Sequence, residues 1–517
     1  MTVWVLGDQL HPTAGPLGDS DPSEERVLLV EAHGFARRMP YHPQKLTLVF
    51  AAMRHFRDEL RAGGYEVEYR RAETFGEALS AHFDAHPDDR LRVMEPASHG
   101  AADRLRELVA DAAGEDGRLE VTENDLFVCS PDEFDARFPD ALPRHETFYR
   151  WMRRETGYLM ESPETDTAGE EVQSDPEPAG GDWNYDDENR EFPPTEYQFP
   201  DPPAFEATET TREVADWVRD EFETWGDDAT HFRWPVTREQ ALTALDRFVA
   251  ERLPEFGPYQ DAMVARSWSG NHALLSSALN LGLLRPEEVV ERAISAYEAG
   301  NAPIGSVEGF VRQVVGWREF VRHAYRRRMP EMARANHLGA TRDLPALYYD
   351  GETEMNCLET VVGRVRNRGY SHHIERLMVL SNFALLYGAN PNELNRWFHF
   401  GYVDAYHWVT TPNVVGMGTF GTDALSTKPY AASANYIDKM SDFCGDCRYN
   451  PDATTGDEAC PFNALYWDFL AENDDTLRSN HRMGLTYHNL DRKDDADLAA
   501  IRERAAEVRR LADEGDL

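Results

Sequence analysis

At 517 residues the chain exceeds the size at which one hydrophobic core stops growing, so two or three domains are expected, and an apolar content of 41% is enough to fill them. The formal net charge of −40, with lysine only at Lys45, Lys428, Lys439 and Lys493, points to a halophile whose cytosol is rich in salt. At about 1 M salt the Debye length falls to about 3 Å and the repulsion among surface carboxylates is largely screened. This charge excludes a broadly basic nucleic-acid-binding domain, so any DNA contact needs a local arginine patch. Met1 to Leu10 lacks a charged leader before an apolar run, and no run of about eighteen apolar residues occurs, so a cytoplasmic monomer away from the membrane is expected. Five cysteines without an export signal argue for free thiols or metal ligation over disulfides.

In chain order, short β-rich runs alternate with amphipathic stretches through the first 130 residues: Val3 to Leu6, Val27 to Val30, a helix near Leu46 to Leu60, Tyr65 to Tyr69, Leu91 to Met94 and Leu126 to Val128. That alternation predicts an α/β domain with a doubly wound parallel sheet over residues 1–135. A ligand of such a fold is expected beyond the strand ends, near the turn Gly7 to Leu10. From Glu161 to Glu209 the composition turns acidic and rich in Pro and Gly, which reads as an interdomain linker within 136–210, with the aromatic island Trp183-Asn184-Tyr185 docked on a domain surface. Residues 211–517 carry helical periodicity almost throughout and predict an all-α domain.

Cys444 and Cys447 form a C-x2-C pair, Cys460 is followed by Pro461, and Cys357 lies far upstream. Four thiolates with no clustered histidine suit zinc or a cubane iron-sulfur cluster. One pair plus two isolated cysteines is closer to a 4Fe-4S cluster than to a zinc ribbon, and unconnected buried thiols are the third reading. Cys129, at the end of an apolar run, is expected in a core.

The segments Phe256 to Ala262, His272 to Leu284, Val307 to Arg322, Tyr370 to Met378, Trp397 to Pro412 and Thr427 to Ser433 follow in the order seen in photolyases, with the cysteines in Asn356-Cys357 and Met440 to Leu470. Across almost its whole length the chain resembles the iron-sulfur bacterial cryptochrome/photolyase family. That resemblance implies light-driven repair of pyrimidine dimers in UV-damaged DNA, most closely (6-4) photoproducts, by an enzyme holding FAD in the helical domain and a 4Fe-4S cluster on Cys357, Cys444, Cys447 and Cys460.

A buried flavin needs polar groups for its pyrophosphate and a dry pocket for its ring. Ser276, Ser277 and Asn280 offer the first. The resemblance adds Tyr259, His272, Leu275, Gln313, Arg318 and Arg376, with Asp404 facing the flavin ring and Trp408 four residues on. It makes His373, the second member of the pair His372-His373, the proton partner at the lesion. Tyr430 borders the lesion, and Trp397 stands next to the flavin as an electron donor, with a second relay at the Tyr349 position. The runs Arg364, Arg366, Arg368 and Arg326 to Arg328 suit phosphate contacts around a flipped lesion.

Relatives carry an antenna, 6,7-dimethyl-8-ribityllumazine, in a region matching Met39 to Lys45 and Ala52 to Phe56. The positions that face it appear here as Phe35 and Arg38, which leaves lumazine, a deazaflavin or no antenna open. Two other functions stay open as well: a cryptochrome-like blue-light receptor, and an iron-sulfur DNA-binding protein without photochemistry.

Overall fold

The computed structural model describes residues 1–161 and 177–517; the part of the acidic stretch between them, including Pro176, lies outside the described residues. Five parallel strands, β1 (Thr2–Val5), β2 (Arg26–Ala32), β3 (Glu66–Ala72), β4 (Leu91–Met94) and β5 (Leu119–Thr122), pair in the order β3-β2-β1-β4-β5. The run Val27 to Val30 is apolar without alternation because β2 is covered on both faces, as a central parallel strand requires. The charged edge strand β3 keeps its row of unpaired backbone groups from recruiting another chain. The fifth strand is Leu119–Thr122 and not Leu126 to Val128, which forms no strand. There Leu126 and Phe127 are spent on side-chain packing, Phe127 against Trp408 of the helical half.

Helix α1 (Pro43–Ala62) starts where His42 accepts a hydrogen bond from Gln44 N, with Pro43 at its first position and Gly63 at its end. Helix α2 (Phe75–Ala85) opens with a reciprocal cap between Thr74 and Glu77. The stretch 136–210 is more than a linker. His145–Thr156 is a helix with Phe148, Tyr149 and Met152 buried, and Tyr185 is held by its N–H on the Glu308 carboxylate while Trp183 lies under Arg150, Arg153 and Arg154. Beyond Glu209 the described chain is helical, and no helix is long and apolar enough to cross a membrane among the described residues.

The crevice at the ends of β1 and β4, where a ligand was expected, is filled by the protein itself. Gln9 donates to Met94 O at 2.9 Å, and Leu10 N donates to Leu281 O at 2.8 Å. Gly282 makes this approach possible: it sits at φ +78°, and a Cβ there would meet Leu126 and Leu10 N at 2.9 and 3.0 Å.

Helix α1 binds the two halves together. His42 N donates to Phe400 O, the His42 ring pairs with Arg366 O at 2.8 Å, and Gln44 donates to Asn367 O at 2.8 Å. Lys45 Nζ donates to His399 O and Ala405 O at 2.7 and 2.6 Å. Burial draws its pKa down to about 7, against the pull of Asp404, and a neutral amine still has the two N–H groups that those two carbonyls need.

Several histidines are buried as neutral rings. His323 stacks on Phe134 with centroids 4.1 Å apart and both ring nitrogens unpartnered, and burial first, then Arg322 and Arg326, lower its pKa to about 3. His42 is held at about 4 and His145 at about 3, again chiefly by burial. In the unfolded chain these groups take up protons near pH 6.5, so their contribution to stability is full above that pH and is lost as the pH falls toward the folded values. The thermal midpoint at fixed salt should therefore drop between pH 7 and pH 5, and His323→Phe should flatten that slope; an identical slope in the variant would contradict this account of His323.

Candidate functional site

The helical half brings three of the expected residues, Arg376, Ser276 and Asn280, onto a fourth, Asp404. Asp404, 5% exposed, accepts both guanidinium nitrogens of Arg376 at 3.1 and 3.0 Å, and Ser276 Oγ at 2.7 Å; its backbone oxygen accepts Asn280 Nδ2 at 2.9 Å. Burial works to discharge Arg376, but the Asp404 carboxylate outweighs it and leaves the guanidinium pKa above its ordinary value. Tyr402 lies under the same guanidinium at 4.2 Å and Tyr370 at 4.9 Å, while Ser371 O accepts its Nε at 2.7 Å. Such a planar cation is fixed on every side.

Local backbone explains the placement. Ser276–Asn280 is a single helical turn entered through Leu274, whose φ of 58° is costly for a branched residue and is found where surrounding structure imposes it. Arg376 opens a π-helical stretch, Arg376–Ser381, and Gln313 and Arg318 sit in another, Arg312–Arg318; such widened turns concentrate at functional sites.

His372 and His373 diverge. His372 is 1% exposed, stacks on His272 with centroids 4.6 Å apart, and lies 3.3 Å from Glu375, which also pairs with Arg364. His272 in turn bonds Gln260 O at 3.1 Å. His373 is exposed to solvent at the start of the short helix His373–Glu375. Desolvation first, then Arg376 and His372, bring its pKa down to about 4, so its ring is neutral at pH 7.

The remaining expected residues are spread through the helical half. Leu275 is buried, and the neighbouring Ser277 Oγ is buried with no partner. Tyr259 is half-buried on Tyr197, and Gln313 donates back to Gly309 O at 3.2 Å. Arg318 and Trp408 lie together in a separate cluster with Phe127, 4.3 Å under Arg318. Tyr430 is half-buried next to the segment that Asn480 and Arg482 hold through Thr427. Trp397 is fully buried, donates to Tyr348 O at 2.8 Å, and meets Tyr348, Tyr402 and Trp225 edge-on at 5.3, 5.9 and 5.7 Å. Trp225, half-exposed and bonded to Tyr349 O, carries no sequence motif and is legible only from this stack.

The arginine runs are mostly spent on the protein. Arg364 is buried and bonded to Glu375, Val264 O and Ala265 O, so it does not reach phosphate. Arg366 turns to Asp350 O, and Arg326 and Arg327 share Asp135. Arg368, over the Trp268 ring at 4.9 Å, has no acidic partner among the described residues. Likewise His42, Gln44 and Lys45, in the region matched to an antenna, have their polar groups in the contact between the halves.

Cys357, Cys444, Cys447 and Cys460 line one cavity with Met355, Phe443, Tyr449 and Phe462, and none is in a disulfide. Burial pushes the Cys444 and Cys460 thiols up to about 12, so thiolates there require a cation. A tetrahedral zinc ion would draw sulfurs to about 3.8 Å of one another. Among the described residues no three of these cysteines bring their sulfurs within 4.8 Å of one another. Cys129 is buried in the main core, apart from that cavity.

These features have clear relatives. The sequence family described as deoxyribodipyrimidine photo-lyase-related protein matches residues 3–234. A (6-4) photolyase of Agrobacterium fabrum (strain C58 / ATCC 33970) is 40% identical over 522 residues, covering 99% of this chain and 99% of its own. In fold, the chain is similar to a bacterial class III photolyase from Agrobacterium tumefaciens, at 14% identity and a TM-score of 0.58 over 99% and 98% of the two chains. A cryptochrome of Synechocystis sp. PCC6803 gives 13% identity and a TM-score of 0.60 over 99% and 98%. The fold is that of the photolyase/cryptochrome class. Within that class, the chain belongs to the bacterial photolyase-like family and is an enzyme of the photolyase type.

Removing Lys45 should loosen the site from the outside. Lys45→Ala leaves two buried carbonyls without donors at about 1–3 kcal/mol each, so the urea midpoint should fall and the loop carrying Asp404 should lose order. An unchanged midpoint would show that the contact contributes nothing.

Proposed function

We propose that the chain repairs UV-damaged DNA with light, using FAD, and that its substrate is the (6-4) photoproduct. The observation that carries this reading is His373, exposed three residues before Arg376, whose guanidinium pairs with the buried Asp404. FAD, when bound and excited, supplies the single electron that a pyrimidine dimer needs in order to split. Ser277, whose buried hydroxyl has no partner in the protein, and Ser276 and Asn280 on the same turn would hold its polar groups. Arg376 and Asp404 would orient its ring, and the aromatic contacts would keep water out.

His373 serves the lesion. Returning a hydroxyl from one pyrimidine to the other requires proton movement, and a neutral imidazole both accepts a proton and offers its N–H. The buried Arg364–Glu375–His372 pairs fix the helix start from which His373 projects, which makes His372 a positioning residue. A 4Fe-4S cluster on Cys357, Cys444, Cys447 and Cys460 is supported by four thiols, one C-x2-C pair and two isolated cysteines, lining one cavity.

His373→Ala should keep its flavin and its affinity for lesion-bearing oligonucleotides, yet lose (6-4) repair by about 10²–10⁴, the usual worth of general acid-base help. Anaerobic illumination of each lesion separately reads this out. Near-normal (6-4) repair by a flavin-loaded variant would remove His373 from the mechanism. Equal repair of cyclobutane dimers by both forms would move the enzyme to that lesion.

A further inference from the structure

On the far side of the sheet, away from the flavin site, three metal-ligating side chains converge. Glu68 on the edge strand β3 places Oε2 2.7 Å from His82 Nδ1 and 3.8 Å from His86 Nε2, and the three ligand atoms lie within 4.8 Å of one another. His82 and His86 are four residues apart, at the end of α2 and just beyond it, so both rings point to the same face.

We propose that Glu68, His82 and His86 bind one divalent transition-metal ion of the zinc class. The carboxylate is already oriented: Arg70 occupies Glu68 Oε1 and leaves Oε2 facing the two rings. His82 is oriented too. Its Nε2 lies 3.2 Å from Asp89 Oδ2, the arrangement by which carboxylates support metal-bound histidines, and its Nδ1, hydrogen-bonded to Glu68 Oε2 at 2.7 Å, exchanges that bond for the ion when one binds. Asp89 is itself anchored by Thr2 Oγ1 at 2.5 Å and Arg90 N at 2.9 Å.

Two imidazoles and one carboxylate suit zinc, cobalt or nickel and are poor ligands for magnesium or calcium, which prefer all-oxygen shells. Access is built in: His82 is fully buried, but His86 is 31% and Glu68 15% exposed, so an ion can enter from solvent and keep water in its remaining positions. The site joins the edge strand to α2 and, through Asp89 and Thr2, to β1. Its role is therefore to pin the outer edge of the α/β half, and none of its residues contacts the flavin site or the cysteine cavity.

The test uses the full-length protein with its cysteine site loaded, stripped of loosely held metal with a chelator and titrated calorimetrically with Zn²⁺. Wild type should bind one ion more per chain than His86→Ala, and Zn²⁺ should raise the thermal midpoint of wild type but not of the variant. His86 is the chosen position because it is partly exposed and its loss leaves the buried His82 contacts intact. Glu68→Gln, which keeps the shape of the side chain, should weaken binding by at least about tenfold, since it removes the only anionic ligand. Equal zinc uptake by wild type and both variants would overturn the proposal. So would a wild type that takes up no zinc in this titration, which would leave His82 as a hydrogen-bonded bridge between Glu68 and Asp89. Mg²⁺ in the same titration should produce neither heat nor a thermal shift, and a magnesium response equal to that of zinc would refute the assigned metal class.

Discussion

The site depends on one charge pair. Asp404 is buried while Arg376 keeps a quarter of its side chain exposed, and deleting the arginine leaves an uncompensated buried carboxylate, a loss of up to about 3–5 kcal/mol. The pair persists because each remaining polar atom has a partner: Ser276 and Asn280 on Asp404, Ser371 O on Arg376, and Tyr402 beneath the guanidinium plane. One strand of this support comes from the other half of the molecule. Lys45 on α1 holds the carbonyl of Ala405, the residue after Asp404, so packing between the halves and geometry at the charge pair are a single constraint.

Much of this was legible in the sequence, for reasons that differ by element. Strands β1, β2 and β4 announce themselves as apolar runs of Val, Leu and Trp and β3 by the β-rich run Tyr65 to Tyr69, whereas β5 (Leu119–Thr122) reads LEVT, and the more apolar Leu126 to Val128 next to it drew the assignment. Periodicity cannot tell a strand from a loop that packs its side chains inward. Ser276, Asn280, Arg376 and Asp404 were found because motif order brought them into view, and the structure joins them by hydrogen bonds. Arg318 and Trp408, drawn from the same motifs, pack together on Phe127 instead.

Charge was the harder property to read. In a chain with so many carboxylates, an arginine run is ambiguous until its partners are known: Asp135, Glu375 and the carbonyl of Asp350 neutralise or occupy most of these guanidiniums, and none of them is marked by a motif. Trp225 and the triad Glu68, His82 and His86 were invisible for the same reason. Stacking on Trp397 and convergence across β3 and α2 are tertiary facts, and no spacing encodes them.

The central claim is that the Arg376–Asp404 centre holds the flavin. The most direct measurement is the flavin content per chain, by visible absorbance after denaturation, of wild type and Arg376→Leu purified side by side, with far-UV circular dichroism to establish that both are folded. The account predicts close to one FAD per wild-type chain and a folded variant stripped of most of it. A folded Arg376→Leu protein carrying wild-type flavin would contradict it.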